Sequence, residues 1–277
     1  MTSHDVISRC RRTFGQRRVG HGGTLDPGAT GVLVVALGQA TRLLRFLSDL
    51  PKSYEGEVVL GTDTTTLDDE GDITATYEMS AVTLHDARTA ASALTGAIEQ
   101  VPPMVSAVKV GGRRLHELAR AGIEVERAAR PVIVHRFEVD EGDAPGVLRI
   151  AVDCSSGTYV RVLAADLGVA LGGGAHLRRL RRTAVGPFSL AEARPLDESL
   201  GPADVRPPAD AVGHLDHVVV DAEMAAKVAN GAILDRDRIG LRGSGPWAVL
   251  EGSDALLAVY EAKGDVSAKP AVVLSGQ

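Results

Sequence analysis

The stretch "PVIVHRFEVDEGDAPGVLRIAVDCSSGTYVRVLAADLGVALG", residues 131–172, decides the fold class of this chain. Its first part reads as two strands joined by a turn that contains Gly, Asp and Pro. From Thr158 onward the pattern is that of a helix, which follows the second strand directly. Strands that follow strands, with helices between them and no regular β-α-β alternation, predict the α+β class with a mixed, largely antiparallel sheet flanked by helices.

Segments on both sides of this stretch extend the same prediction. The helices expected from apolar spacing and from a Thr83 N-cap are "HDVISRCRRTFG" (4–15), "LHDARTAASALTG" (84–96) and "RRLHELARAG" (113–122). The expected strands are the apparently buried "VLVVALG" (32–38) and the alternating "YEGEVVLG" (54–61).

The composition changes near residues 194–213, a stretch rich in Pro, Ala, Asp and Gly that predicts a connector. Beyond it, short apolar runs and a helix that starts after Asp221 indicate a small β-rich module. The sequence therefore predicts a large domain over residues 1–210 and a C-terminal module over residues 211–277.

Charge and cysteine usage limit the possible classes of function. The net charge is −6, but basic residues cluster in "RCRR", "QRRVGH", "GGRR" and "HLRRLRR", so a nucleic-acid partner remains compatible with the acidic total. The two cysteines, Cys10 and Cys154, form neither a disulfide framework nor a metal-ligand pattern, which predicts a reducing, cytoplasmic setting. The apolar run "VLVVAL" is too short to cross a bilayer and no signal peptide precedes it, so no membrane partner is expected.

The loop "GGTLDPGATG", residues 22–31, raises the question of function. It resembles a phosphate-binding loop, but Ala29 stands where the lysine should be and a β-type run follows where a helix should begin. Alternatively, the glycines and Pro27 shape a turn that presents Asp26 beside basic residues and His21. The spacing alone leaves two roles for Asp26, a turn-forming side chain or a catalytic carboxylate, and the former is the more frequent.

A longer comparison of motifs adds to this interpretation. The run "RRVGHGGTLDPGATGVLVVALGQATRLL" resembles the catalytic segment of the bacterial tRNA pseudouridine synthase B (TruB) family, whose signature is Gly-His-x-Gly-x-Leu-Asp-Pro-x-Ala-Thr-Gly-x-Leu. Further segments agree in the same order: "KSYEGEVVLGTDTTTLDDEGD", "QVPPMVSAVKVGGRRLHELARAG", "CSSGTYVRVLAADLG" and "GGGAHLRRLRRTAVGPF". The tail resembles the family's small PUA-like RNA-binding module. The resemblance thus implies a catalytic domain of pseudouridine synthase type over residues 1–210.

The resemblance also implies a reaction. The family isomerises the uridine at position 55, in the T-loop of tRNA, to pseudouridine without a cofactor or metal. It places the catalytic carboxylate at Asp26, as a nucleophile at C1′ or as a base on the sugar. Because this chemistry requires an extruded base, Tyr54 is expected to stack on it. The substrate-binding positions implied by the match are His21, Tyr54, Tyr159, Arg161 and Leu180.

Within that set, Arg161 is expected to pair with Asp26, Leu180 to line the pocket, and His21 to fill the space left by the flipped base rather than to transfer a proton. The basic clusters are expected to contact the RNA backbone, and the candidates are Arg17, Arg18, Lys109, Arg113, Arg178, Arg179, Arg181 and Arg182. For each of these residues, ordinary packing or solvated surface charge is the alternative.

The resemblance implies the T-arm of tRNA as partner, no obligate protein partner, and a monomer. The family commonly opens with an apolar strand and a Lys-Pro-x-Gly turn, so a strand of the family is expected to be missing ahead of Met1. The alternatives are a non-catalytic RNA-binding or RNA-chaperone protein on the same scaffold, and a synthase that acts on another RNA.

Overall fold

The computed structural model describes residues 1–106, 108–252 and 255–274. Its helices are α1 (Ser3–Thr13), α2 (Leu44–Leu47), α3 (Leu84–Ala93), α4 (Leu115–Arg120), α5 (Val160–Ala170) and α6 (Ala222–Ala229). Short 3₁₀ segments cover Gly38–Leu43, Pro202–Asp204 and Pro208–Val212. The strands are β1 (Val19–His21), β2 (Thr30–Gly31), β3 (Val35–Leu37), β4 (Lys52–Leu60), β5 (Thr62–Thr64), β6 (Ile73–Thr76), β7 (Gly96–Gln100), β8 (Lys109–Val110), β9 (Arg113–Arg114), β10 (Arg130–Glu141), β11 (Val147–Cys154), β12 (Ala175–Val185), β13 (Phe188–Ser189), β14 (Asp216–Val220), β15 (Leu234–Asp235), β16 (Trp247–Glu251), β17 (Ala255–Lys263) and β18 (Ser267–Val273).

The chain folds into two compact units, and each unit combines segments that are separated in the sequence. The first unit combines Met1–Thr24, Leu33–Ser48 and the C-terminal segment from Glu192. The second unit combines Leu25–Val32 with Asp49–Ala191. The domain ranges 1–210 and 211–277 stay a prediction.

A seven-stranded sheet organises the second unit. Its strand order is β13-β12-β4-β11-β10-β7, and β2 adds to β12 as a parallel neighbour while the other pairs are antiparallel. Helices α3 and α5 pack on this sheet around a core that includes Val58, Val134, Val152, Leu163 and Leu167. The predicted α+β class with a largely antiparallel sheet is confirmed, and so are the two strands and the helix of residues 131–172.

Helix α3 begins where the sequence predicts. The hydroxyl of Thr83 accepts a hydrogen bond from the Asp86 amide at 3.2 Å, and the Asp86 carboxylate accepts one from the Thr83 amide at 3.0 Å. This capping box satisfies two amides that the first helical turn would otherwise leave without partners. The helix then buries Ala87 and Ala91 against the sheet.

The prediction of a continuous buried strand over residues 32–38 is wrong. Only Val35–Leu37 form a strand, which pairs with β1, and its side chains are half-buried. The backbone before this strand changes its partner: the Val32 amide donates to the Arg182 carbonyl of β12, whereas the Val34 carbonyl accepts from the Gly22 amide next to β1. The start of the run is therefore bonded to β12 and its later part to β1, so residues 32–38 do not form one continuous strand.

The helix predicted over residues 113–122 is also shorter than expected. Arg113 and Arg114 form β9, which pairs with β8, and the helix extends only from Leu115 to Arg120. The Glu117 carboxylate accepts from the Arg114 amide at 3.3 Å, so this first helical turn is capped after the arginine pair.

In the first unit, a five-stranded sheet has the order β14-β16-β17-β18-β15, with β14 parallel to β16. Asp221 caps α6 as predicted, since its carboxylate accepts from the Met224 amide at 2.8 Å. Trp247 and Tyr260 are almost completely buried in this core. The β-rich C-terminal region is therefore confirmed.

Helix α1 of the first unit also agrees with the sequence. Thr2 and Asp5 form its capping box, and its apolar stripe buries Ile7 and Cys10 against Val19 of β1. None of the helices in the described residues combines the length and apolarity that crossing a lipid bilayer requires.

Candidate active site

The loop of residues Leu25–Val32, which we call the aspartate loop, turns sharply at Asp26. The Ala29 amide donates to the Asp26 carbonyl at 2.9 Å, so the backbone closes a four-residue turn with Pro27 in its second position. The carboxylate therefore takes no part in this turn bond. The turn is formed by the backbone rather than by the Asp26 side chain, so it leaves the carboxylate available for other contacts.

The loop ends in close contact with β12. Strand β2 pairs in parallel with this strand, with Gly31 opposite Arg182. Gly31 has a φ of +103°, and a Cβ added there would lie 2.1 Å from the Arg182 carbonyl oxygen. Only glycine fits such an approach without moving the loop. Within residues 25–37, all of which the structure describes, no helix follows the glycines, in contrast to a nucleotide-binding loop.

Arg161 holds the Asp26 carboxylate in a fork. Its Nε donates to Oδ2 at 2.9 Å and its Nη2 donates to Oδ1 at 3.2 Å. The Arg161 side chain is 4% exposed whereas that of Asp26 is 43% exposed. Two-point, charge-assisted pairing fixes both the position and the plane of a carboxylate. One side of Asp26 is therefore anchored and the other is open.

The remaining donors of Arg161 are also engaged. Nη1 donates to the Thr66 carbonyl and Nη2 to the Val105 carbonyl, each at 2.9 Å. The Asp68 carboxylate lies 3.5 Å from Nη1. Between Thr66 and Asp68, Leu67 adopts a φ of +61°, a conformation that is rare outside glycine. The guanidinium is thus held by groups from three separate chain segments.

Helix α5 carries Arg161 in its first turn, and a residue that the sequence analysis missed fixes this helix end. Gln100 is 2% exposed. Its Oε1 accepts from the Tyr159 amide at 2.9 Å, and its Nε2 donates to the Tyr159 carbonyl at 3.3 Å. Tyr159 is the N-cap residue of α5 and makes no side-chain cap bond itself. The only sequence signal for Gln100 was its place in the motif "QVPPMVSAVKV".

Tyr54 lies in the centre of the sheet, opposite Val152 on β11 and Arg182 on β12. Burial raises the pKa of its phenol, whereas the charge of Arg182 and a hydrogen bond from that guanidinium lower it. The net shift of the pKa is upward, so the phenol is protonated at neutral pH. Asp26 also acts on this pKa, in the same direction as burial, so the carboxylate lies within electrostatic reach of the ring.

Two further residues of this face complete the surroundings of Tyr54. Leu180 lies opposite Gly56 and, like Tyr54, is half-buried and packs against the core under α3 and α5. Lys52, which the sequence analysis did not single out, is buried and donates to the Leu50 carbonyl at 2.9 Å. Burial lowers the pKa of its ammonium, and the nearby charge of Arg182 lowers it further.

Other predicted residues belong to the first unit. His21 is half-buried in β1, where it lies opposite Val35. Arg17 and Arg18 are exposed just before this strand, and the Arg17 carbonyl accepts a hydrogen bond from Arg11 at 3.2 Å.

The basic candidates of the second unit differ in their surroundings. Lys109, Arg113 and Arg181 are exposed. Arg178 donates to Glu57 at 2.8 Å and to Asp143 at 2.6 Å, so two carboxylates offset its charge. Arg179 shares Glu57 but is 68% exposed. Arg182 is 2% exposed, so it is the buried residue among these basic candidates.

Two protein-family models match this chain. The family described as "TruB family pseudouridylate synthase (N terminal domain)" matches residues 11–160. The "tRNA pseudouridylate synthase B C-terminal domain" matches residues 161–226. The two matches together span most of the chain.

Individual proteins agree with these matches. The tRNA pseudouridine synthase B of Mycobacterium sp. (strain KMS) is 56% identical over 200 residues, which are 71% of this chain and 67% of that protein. The tRNA pseudouridine synthase B of Rhodococcus jostii (strain RHA1) is 46% identical over 270 residues, which are 95% of this chain and 87% of that protein. Among solved structures, the crystal structure of a Cbf5-Nop10-Gar1 complex contains a chain similar in fold, with a TM-score of 0.74 and 27% identity, over 100% of this chain and 81% of that one.

Proposed function

Because the chain belongs to the TruB family of pseudouridine synthases and is therefore an isomerase, we propose that it converts the uridine at position 55 in the T-loop of tRNA to pseudouridine, with Asp26 as the catalytic group. The names of the relatives support tRNA as the substrate. The observation that carries the role of Asp26 is its two-point pairing with a buried arginine while its other side stays open.

The reaction needs a group that acts on the sugar. The bond between C1′ and N1 breaks, the uracil turns, and C1′ bonds to C5. The proton on C5 is released to solvent and N1 gains a proton, so atoms balance without a cofactor. A carboxylate fixed by Arg161 acts at the sugar as a nucleophile at C1′ or as a base. Preorganisation by the guanidinium means that Asp26 does not have to reorient during the reaction.

A single carboxylate is sufficient for this chemistry. The uracil is kept rather than lost to water, so no second carboxylate has to activate a water molecule, in contrast to glycoside hydrolysis. Asp68 is the other carboxylate that contacts Arg161, and it also accepts hydrogen bonds from the Thr66 hydroxyl and from the Glu70 amide. These contacts favour a supporting role for Asp68.

The extruded base needs a stacking surface and an apolar wall. Tyr54 offers a half-buried aromatic ring, with a neutral hydroxyl, within electrostatic reach of Asp26. Leu180 packs against the same core and is proposed to line the pocket. We also propose that Tyr159 and His21 contribute substrate contacts.

Binding of the folded RNA requires positive charge along its backbone and readout of its shape. The exposed cations Arg17, Arg18, Lys109, Arg113 and Arg181 are the proposed phosphate contacts. Arg179 and Arg178 are weaker candidates because they share acidic partners. We further propose that the protein acts as a monomer in the cytoplasm.

The proposal is tested with unmodified tRNA that carries tritium at C5 of its uridines. Release of tritium from this tRNA is compared with release from a tRNA that has cytidine at position 55. We expect the protein to release the label of one uridine from the first tRNA and none from the second. Equal release from both would contradict the T-loop assignment, and no release from any tRNA would contradict tRNA as the substrate.

A further inference from the structure

Arg182 is a buried arginine that the proposed chemistry leaves without a role. Its sequence context, "HLRRLRR", is typical of a basic surface, yet the residue is only 2% exposed. Removing a guanidinium from water is costly in free energy. A buried arginine is therefore expected where its hydrogen bonds fix neighbouring groups in a way that an apolar side chain could not. The contacts of Arg182 indicate what that is.

The first contact is with the aspartate loop. The Arg182 side chain donates from Nε to the Val32 carbonyl at 2.8 Å, and its backbone carbonyl accepts from the Val32 amide at 2.8 Å. Val32 is itself buried, and Gly31 before it packs directly on the Arg182 backbone. Arg182 therefore fixes the C-terminal end of the loop through both its side chain and its backbone, five to six residues after Asp26.

The second contact is with Tyr54. The two residues are direct partners on neighbouring antiparallel strands, so their side chains emerge on the same face of the sheet. The Arg182 guanidinium also lowers the pKa of the Tyr54 phenol against the effect of burial, as expected for a cation that lies beside the hydroxyl. The side chain of Arg182 thus connects two parts of the proposed site. One is the Tyr54 ring, which is proposed to stack on the base, and the other is the aspartate loop, which carries Asp26.

We propose that Arg182 is a positioning residue of the isomerisation, which sets the distance between Asp26 and Tyr54 by binding the Val32 carbonyl and the Tyr54 hydroxyl together. This inference rests on the proposed function of Asp26 and Tyr54. Arg182 acts on the end of the aspartate loop at Val32, whereas Arg161 of α5 orients the Asp26 carboxylate directly. It does not contact the RNA backbone, in contrast to its exposed neighbour Arg181.

The test uses Arg182→Lys in the full chain, with Arg149→Lys as the matched control. Arg149 also donates from Nε to a backbone carbonyl, that of Glu141 at 2.9 Å, and lies on β11 of the same sheet. Lysine keeps the charge of Arg182 but cannot bind two acceptors in fixed directions. We measure the single-turnover rate of tritium release at saturating tRNA, and the Kd for tRNA at several salt concentrations.

We expect Arg182→Lys to lower the single-turnover rate by roughly 10- to 100-fold, because small displacements of reacting groups have effects of that size. Its Kd and the salt dependence of that Kd should equal those of the parent, and Arg149→Lys should match the parent in both. An unchanged rate for Arg182→Lys would overturn the proposal. A weaker Kd with a smaller salt slope would also overturn it, because that is the signature of a lost phosphate contact.

A second variant reaches the same contact from the loop. Gly31→Ala places a Cβ against the Arg182 backbone and so displaces the loop without removing the buried cation. Gly31→Ala should also lower the rate at an unchanged Kd, so it tests the proposal even where Arg182→Lys fails to fold. A parental rate for Gly31→Ala would refute the proposal. Failure of the proposed function would be seen separately, as absent tritium release by the parent chain.

Discussion

The two sheets differ in what they bury. The seven-stranded sheet of the second unit and the helix ends around it bury Lys52, Gln100, Arg161 and Arg182. The five-stranded sheet of the first unit buries Trp247, Tyr260 and aliphatic side chains, and among its described residues no charged side chain is buried. Because buried charge is costly, the burial of these cations in the unit that carries Asp26 supports the proposal that interior side chains there position this carboxylate.

In the five-stranded sheet, the buried polar atoms belong to neutral side chains and bond to backbone carbonyls. The Trp247 indole donates to the Arg242 carbonyl, and the Tyr260 hydroxyl donates to the Ala232 carbonyl at 2.8 Å. Burial raises the pKa of Tyr260 to about 12, so its hydroxyl is a permanent donor at physiological pH. These groups complete a packed core. Substitutions around Asp26 should therefore change the rate of the reaction. Substitutions in the core of the five-stranded sheet should change the free energy of unfolding.

Among the residues that surround Asp26, the largest effect on rate is expected for Arg161→Lys. A lysine keeps the charge but loses the two-point pairing with Asp26 and the bonds to the Thr66 and Val105 carbonyls. The single-turnover rate of tritium release should fall by about 10²-fold at saturating tRNA. Arg149→Lys, which exchanges an exposed arginine of the same unit, is the control. A rate within twofold of the parent would remove Arg161 from the account.

The largest effect on stability is expected for Trp247→Ala. Loss of this buried side chain should lower the free energy of unfolding by about 3–5 kcal/mol, measured by urea denaturation. Val219→Ala, at a position 55% exposed on β14 of the same sheet, should change it by less than about 0.5 kcal/mol. The folded Trp247 variant should keep the parental rate at saturating tRNA. A lower rate would show that the two regions are not separable.

A smaller effect is expected at the start of α3. Thr83→Ala removes a capping hydroxyl and should lower the free energy of unfolding by about 1 kcal/mol, with no change in the rate of tritium release. Thr89→Ala, in the middle of the same helix, is the control and should be close to neutral because alanine has the higher helix propensity. Equal losses of stability for the two variants would mean that the cap contributes nothing.

The smallest effect is expected for Asp166→Asn on α5, and it should depend on pH. Burial raises the pKa of Asp166 above its ordinary value of 3.8, so its ionised form is less stable in the folded protein. The cost is absent below pH 3.8 and appears as the pH rises through the raised pKa. The variant should therefore be more stable than the parent at pH 7, by about 0.5 kcal/mol, and equal to it at low pH. Thermal unfolding at both pH values measures this, and a destabilised variant at pH 7 would show that the carboxylate is favourable.

The sequence was sufficient where a pattern repeats or a motif is long. The alternation of residues 131–157 and the helical spacing after it predicted β10, β11 and α5. The match around Asp26 led to the expectation that Arg161 pairs with this carboxylate, and the observed hydrogen bonds agree.

The sequence was not sufficient where position depends on strand register. In "HLRRLRR" the arginines look alike, but β12 has bulges between Leu177 and Arg179 and between Arg182 and Ala184. Such bulges decide which side chains face the interior, and they cannot be read from the run itself. For the same reason the sequence pattern places Arg182 with the exposed cations, although it is buried. Gln100 was missed because its partner, the Tyr159 backbone, lies 59 residues away.

We propose that Asp26 performs the chemistry and that its surroundings hold it for that purpose. The most direct measurement is the single-turnover rate of tritium release by Asp26→Asn at saturating tRNA, together with its Kd for the same tRNA. Asparagine keeps the shape of the side chain but is neither a nucleophile nor a base. We predict a rate at least about 10³-fold below that of the parent, with an unchanged Kd. A rate close to that of the parent would contradict it.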